Sequence, residues 1–343
     1  MLASFGYNIT INSVYLVKKY YIFMISNELV KNFIRHNPAL AISTIEKEAG
    51  IPRQTLTRAI NENRKISDKY LNVLLPVLSK YGYSSTLYQS ARIISIVNHK
   101  GGVGKTTTTA SLGEALAKKG FKILLIDLDP QGNLSQILGI DAPEVQVADS
   151  LIDNVDFPVI NIRPCLDLSP SDIELSNVEM RFHELTGGEF RLKNRISHLL
   201  EAYDYILIDC PPSLNKLTLS AMAASNSCLI PLLPEMSAVK GLNSIWGKIM
   251  EVRHDLNASL QIDGIVFTMV KRNTVHDGIK THVKEQIKNI NIFNSEIKHL
   301  IDFQKSQIAQ NSIANFAQDS DAAKCYEDFC NEYIEYLQIV KPQ

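Results

Sequence analysis

Apolar residues recur along this chain in two rhythms. From residue 26 to about 83 the spacing is helical. Leu29, Phe33 and Ile34 share one face of a first helix, which Asn37-Pro38 ends. Ser43 is placed to cap a second helix, with Glu46 closing a capping box. Gly50 breaks that helix, Pro52 suits the first turn of a third over 53–60, and Ser67 is placed to cap a fourth. Leu71, Leu74, Leu75 and Leu78 form the apolar face of this last one. Beyond residue 92 the rhythm changes to short continuous apolar runs, each followed by a helix-like stretch. Ile93-Ile94-Ser95-Ile96-Val97, Ile123-Leu124-Leu125-Ile126, Ile206-Leu207-Ile208, Cys228-Leu229-Ile230 and the run 262–269 are the clearest. Such runs, bounded by turn residues and alternating with helices, predict strands buried on both faces. The predicted fold class is α/β: a mostly parallel twisted sheet with helices on both faces, plus a small all-α N-terminal domain. The expected division is an uncertain extension at 1–24, a helical domain at 25–83, a polar linker at 84–91 and the α/β domain at 92–343. Residues 141–165 are polar and carry no pattern that predicts an element.

The first apolar run ends in Asn98-His99-Lys100-Gly101-Gly102-Val103-Gly104-Lys105-Thr106-Thr107 and opens a helix of small residues. Glycines let backbone N–H groups close on an anion, and a helix start adds its positive dipole end. Lys105 would reach terminal phosphates and the Thr106 hydroxyl would ligate Mg²⁺. A strict P-loop has glycine where His99 stands; here Lys100 precedes the glycines instead. The second run ends Asp127-Leu128-Asp129-Pro130-Gln131-Gly132-Asn133, which delivers two carboxylates to the edge where phosphates would sit. The third ends Asp209-Cys210-Pro211-Pro212, a strand followed by an acid that would hold Mg²⁺ through water, then a stiff loop placed to sense a γ-phosphate.

Lys-Gly-Gly-x-Gly-Lys-Thr-Thr, with the two acidic motifs behind it in order, resembles the deviant Walker A ATPases of the ParA/MinD family. The resemblance covers about residues 92–340. It implies a P-loop NTPase fold, ATP hydrolysis to ADP and phosphate, and ATP and Mg²⁺ as cofactors. It implies nucleotide contacts from Lys100, Gly101, Gly102, Val103, Gly104, Lys105, Thr106 and Thr107, with Met269 at the adenine. Thr106, Asp127 and Asp209 would serve the metal, and Lys100, Lys105 and Asp129 the chemistry, with Asp129 positioning or activating water. It further implies a homodimer closed by ATP, with Lys100 reaching into the partner's site. It implies non-specific DNA binding, slow turnover and a ParB-like partner that stimulates hydrolysis.

The N-terminal helices resemble a helix-turn-helix: two short helices about a glycine turn, the second starting Pro-Arg-Gln-Thr-Leu-Thr-Arg. Arg53, Gln54, Thr57 and Arg58 would face out toward bases and phosphates, while Leu56 and Ile60 pack inward. Between residues 25 and 85, nine basic residues stand against five acidic ones, in a chain whose net charge is −1. Glu46 stands where the motif usually has a small residue. A helical dimerisation cap without DNA contact fits the same pattern. In the α/β part, Lys280, Lys284 and Lys288 repeat beside the apolar Ile279, Val283 and Ile287, with Lys271 and Arg272 upstream. This stripe reads as a solvated face or as a patch that neutralises DNA phosphates. The family tends to carry Ile-Pro-Arg where this chain has Ile297-Lys298-His299, which moves the burden of DNA binding toward the N-terminal helices.

Composition changes little. A hydrophobic content of 45% is that of an ordinary globular chain. Five scattered cysteines without a ligand cluster read as reduced thiols. Residues 1–24 lack the order of a signal peptide, and Met24 is a candidate start. No run reaches transmembrane length, and the acidic, tyrosine-rich tail lacks the basic amphipathic helix that MinD-like relatives use on membranes. The expected location is therefore cytoplasmic, on the nucleoid. The sequence supports an ATP-dependent DNA-partitioning ATPase; the alternative is a nucleotide-controlled transcription regulator or mobile-element maintenance protein.

Overall fold

The computed structural model describes residues 27–62, 64–83, 91–153, 155–182, 187–287 and 290–339. The expected extension 1–24, linker residues 84–90 and Lys288 lie outside them. Contacts divide the chain into two compact units, Met1–Ala91 and Arg92–Gln343.

In the first unit, helices α1 (Asn27–His36), α2 (Ile42–Glu48), α3 (Thr55–Asn61) and α4 (Asp68–Lys80) enclose a core that includes Val30, Phe33, Ile45, Leu56, Leu74 and Leu78. Asn27 ties the ends together: its side chain donates to the Ile66 carbonyl at 3.0 Å and accepts from the Ile66 N–H at 2.5 Å. Three capping expectations are corrected. Helix α2 starts at Ile42 with Ala41 as its N-cap, so Ser43 lies inside it and forms no capping box. Helix α3 starts at Thr55, after Gln54 in a left-handed conformation with φ 65°, so Pro52 stays in the turn. Ser67 occupies the N-cap of α4, but its side chain makes no capping bond. Glu46 does the capping instead, across helices. Its buried carboxylate accepts from the Gln54 N–H at 2.9 Å and the Leu56 N–H at 2.8 Å. A buried carboxylate persists only when its lone pairs are filled, and the start of α3 supplies unpaired donors.

The second unit is built on an eight-stranded sheet. Its strands are β1 (Arg92–Ile96), β2 (Ile123–Asp127), β3 (Ile160–Arg163), β4 (Leu166–Ser169), β5 (Tyr205–Asp209), β6 (Ser227–Leu232), β7 (Gln261–Val270) and β8 (Ile292–Lys298). The order is β3-β4-β2-β5-β1-β6-β7-β8. Every neighbouring pair is parallel except β3 with β4. The central runs are apolar throughout because helices cover both faces, as the α/β prediction requires. Strand β3 and a helix at Val147–Asp153 arise in the stretch 141–165 that predicted nothing. All four residues of β3 are half-buried or exposed, so it shows no apolar alternation to read.

Two helices fix the working edge. Helix α5 (Lys105–Lys118) follows β1, and its Thr108 Oγ1 lies 3.0 Å from the Tyr326 hydroxyl. Tyr326 belongs to the last helix, Asp321–Ile339, whose Phe329 and Tyr333 are also buried; Tyr333 donates to Asp263 at 2.5 Å. Tyr326, Phe329 and Tyr333 of this helix are therefore core. No helix among the described residues is long and apolar enough to cross a membrane.

Candidate nucleotide-binding site

Parallel sheets place ligands at the carboxyl ends of their strands, where the chain switches direction. Here β1 lies between β5 and β6, and the turn after β1 is the glycine-rich loop. Gly102 and Gly104 hold φ 68° and 87°, values that side chains resist. A Cβ on Gly101 would meet the Pro212 ring at 3.7 Å, so the loop and the segment after β5 approach closely.

The pairing registers set Asp127 beside Asp209 and Asp209 beside Ile96, so two acids end their strands level with the loop. Both are fully buried, and Asp129 and Lys105 are nearly so. Burial pushes the Asp127 carboxyl up to about 6, against the pull of its bonds from Ser135. Burial, then the Asp127 charge, raise Asp209 well above the usual carboxylate range, while a bond from Thr106 and the charge of Lys105 act the other way. Lys105 is lowered by burial and supported by Asp209. Asp209 Oδ2 is buried without a hydrogen-bond partner. An orphaned carboxylate oxygen on the residue that Thr106 bonds fits a hydrated Mg²⁺, which Asp209 and Thr106 would hold and which would offset phosphate charge. Among the described residues no cluster of three His, Cys, Asp or Glu side chains forms a metal cage.

This charge arrangement makes a prediction. A group whose folded pKa is raised opposes folding once pH passes its unfolded value. Asp209→Asn should therefore raise the unfolding midpoint of the nucleotide-free protein at pH 7, by about 3 °C. It should at the same time remove the further rise that Mg²⁺ with ATP gives the parent. Thermal scans with and without Mg-ATP check both signs.

A cleft of about 440 Å³ brings together Gly101, Gly102, Gly104, Lys105, Thr106, Thr107, Asp129 and Met269. It does not include every expected residue. Val103 is buried, and its carbonyl accepts from Thr268 Oγ1 at 2.8 Å, so it braces the loop from behind. Asp127 spends both oxygens inside the fold: Oδ1 accepts from the Asp129 N–H at 3.2 Å, and Oδ2 from Ser135 N and Oγ at 2.9 and 2.7 Å. Both of its oxygens are therefore engaged with the loop that follows β2, and it does not line the cleft. Lys100 stands outside the cleft, its ammonium bonded to the Glu235 carboxylate and 3.2 Å from Ser237 Oγ. Pro212 of the loop placed to sense a γ-phosphate lines the cleft too, and the cleft adds Gln131, Asn133, Gln136, Ile137, Gln307 and Gln310, to which the motifs gave no role. Gln307 donates to Thr107 Oγ1 at 3.3 Å across 200 residues of sequence, a contact no local pattern announces.

The expected DNA contacts fall elsewhere. Arg53, Gln54, Thr57 and Arg58 are all exposed on the first unit, and Arg58 Nη2 donates to Gln54 Oε1 at 3.0 Å. On the second unit Lys271, Arg272 and Lys284 are exposed. Lys280 is a correction: its side chain is 15% exposed and is held by Asp277 at 3.0 Å and Glu296 at 2.9 Å.

Comparison with known proteins agrees with this geometry. A family model described as an AAA domain (AAA_31) matches residues 91–262. The sporulation initiation inhibitor protein Soj of Bacillus subtilis is 41% identical over 204 residues, 57% of this chain and 79% of Soj. The chromosome partitioning protein ParA of Caulobacter vibrioides is 41% identical over 201 residues, 56% of this chain and 75% of that protein. Among solved structures, cobyrinic acid a,c-diamide synthase from Mycobacterium smegmatis with bound ADP and magnesium superposes with a TM-score of 0.65 at 28% identity, covering 74% of this chain and 98% of that one. The glycine loop, the acids behind it and these relatives lead to one conclusion: the chain belongs to the ParA/MinD family of P-loop ATPases, with ATP and Mg²⁺ as its cofactors.

Proposed function

We propose that this chain is a DNA-partitioning ATPase that works as an ATP-closed homodimer. The observation that carries the reading is the position of Lys100. It directly precedes the cradle, yet its side chain is 40% exposed and lies outside its own cleft, where it can turn to a second copy. Within each subunit Lys105 grips the terminal phosphates. Mg²⁺, held by Thr106 and through water by Asp209, offsets phosphate charge when bound. Asp129 orients the attacking water, and Asp127 keeps the loop that carries Asp129 in place. Lys100 from the partner adds positive charge where it develops during bond breaking. Turnover is slow and is stimulated by a ParB-like protein on the cargo. The dimer acts in the cytoplasm on the nucleoid, with Lys271, Arg272 and Lys284 neutralising phosphates.

The first unit adds operator binding through Arg53, Gln54, Thr57 and Arg58. The exposure of all four side chains beside the glycine turn supports a second reading as well, in which nucleotide-controlled transcription or mobile-element maintenance is the main output. The Arg53→Ala, Arg58→Ala double variant should lose about tenfold or more in affinity for the promoter DNA upstream of its own gene. ATP hydrolysis should stay at the parent rate. Gel shifts against unrelated DNA, with ATP, ADP and no nucleotide, check this; unchanged promoter binding would make the unit a cap without DNA contact.

A further inference from the structure

Asp129 is held by a closed ring of hydrogen bonds that runs through two serines. Its N–H donates to Asp127 Oδ1 at 3.2 Å. Asp127 Oδ2 accepts from Ser135 Oγ at 2.7 Å. Ser135 Oγ accepts from the Ser171 N–H at 3.0 Å, and Ser171 Oγ returns to the Asp129 carbonyl at 2.8 Å. All four residues are buried. The Asp129 N–H is thus held by Asp127, which Ser135 at the start of the helix Asn133–Ile137 fixes in turn, and the Asp129 carbonyl is held by Ser171 in the loop after β4.

Two further facts show that the ring is built tightly. Gly132 has φ 62°, and a Cβ there would stand 2.8 Å from the Ser171 carbonyl oxygen. The loop can wrap Ser171 this closely only with glycine at that position. Behind the ring, the Asp172 N–H donates to Gln146 Oε1 at 3.0 Å and the Val147 N–H to the Pro170 carbonyl at 2.9 Å. Ser171 is therefore clamped on both sides and cannot drift with the loop it supports.

We propose that Ser171 and Ser135 are positioning residues for ATP hydrolysis: they aim the Asp129 carboxylate into the cleft and touch no part of the nucleotide themselves. Neither serine lines the cleft, whereas Asp129 does. The inference rests on the reading of Asp129 as the residue that orients water. A carboxylate whose backbone is pinned at both peptide groups loses little further freedom when the transition state forms. Without the Ser171 hydroxyl the Asp129 carbonyl keeps only its turn bond from the Gly132 N–H at 2.9 Å, and the loop can rock about the Asp127 bond.

The test uses the full chain with Ser171→Ala, Ser135→Ala and Asp129→Ala, read by single-turnover hydrolysis and by affinity for a fluorescent ATP analogue. Ser171→Ala should slow hydrolysis about tenfold, with analogue affinity within about twofold of the parent. Ser135→Ala, which breaks the ring at two bonds, should slow it at least as much. Adding Ser171→Ala to Asp129→Ala should cost nothing more, because both act through one carboxylate. Parent-rate hydrolysis in Ser171→Ala beside a dead Asp129→Ala would overturn the positioning role alone. An equal loss of affinity and rate would mean general loosening and would overturn it too. Parent-rate hydrolysis in Asp129→Ala would remove the underlying role of Asp129 and the ring with it.

Discussion

Replacing Lys105 by alanine should abolish nucleotide binding at working concentrations. Lys105 is 6% exposed, and its ammonium is buried among Asp129, Asp209 and the Lys100 carbonyl, 3.3 Å away. Removing it does more than delete one phosphate contact. It leaves the acids as the nearest charges to an incoming triphosphate, and like charges in a dry site repel strongly. Loss of a buried charge partner costs about 3–5 kcal/mol, which is a loss of affinity of about two to four orders of magnitude. Calorimetric titration with Mg-ATP reads this directly, and unchanged affinity would remove Lys105 from the cradle. The same variant should be less stable without nucleotide, because Asp209 loses the cation that offsets its burial.

Asp129→Ala should separate binding from chemistry. Asp129 lines the cleft, while its neighbour Asp127 is enclosed by the Ser135 and Asp129 bonds and does not. The variant should therefore bind Mg-ATP as tightly as the parent or more so, since one negative charge leaves the phosphate pocket. It should accumulate the ATP-bound dimer and lose about a hundredfold or more in hydrolysis, the usual contribution of a positioned base. Phosphate release and sedimentation on the same sample check both halves; parent-rate turnover would assign the water to another group.

Much of this was legible in the chain because the central strands are buried on both faces. Strands β2 and β5 are apolar runs that end in aspartate, and β1 is a largely apolar run that leads into the glycine loop. The edge strand β3 was invisible because none of its residues is fully buried. The capping box expected at Ser43 fails for a physical reason. Ser43 and Glu46 have the spacing of a capping box, but Glu46 is drawn to the unpaired N–H groups of Gln54 and Leu56 on the next helix. Lys280 shows the same limit. Its helical period places it with Lys284, yet Glu296 on β8 claims it, and periodicity says nothing about a strand packed alongside. The cleft follows suit: the glycine loop is contiguous, whereas Gln307, Gln310 and Ser171 reach it or its acids from distant segments. The exchange of Pro-Arg for Lys298-His299 leaves both side chains exposed, so the cation at that place is a lysine one position earlier.

The central claim is that triphosphate both fills this cleft and joins two copies through Lys100. Sedimentation velocity of the full chain with Mg²⁺ and ATP, with Mg²⁺ and ADP, and with Mg²⁺ alone tests it most directly. The account predicts a dimer with ATP only, reduced to monomer by Lys100→Ala even where ATP still binds. A species that keeps one mass under all three conditions would contradict it.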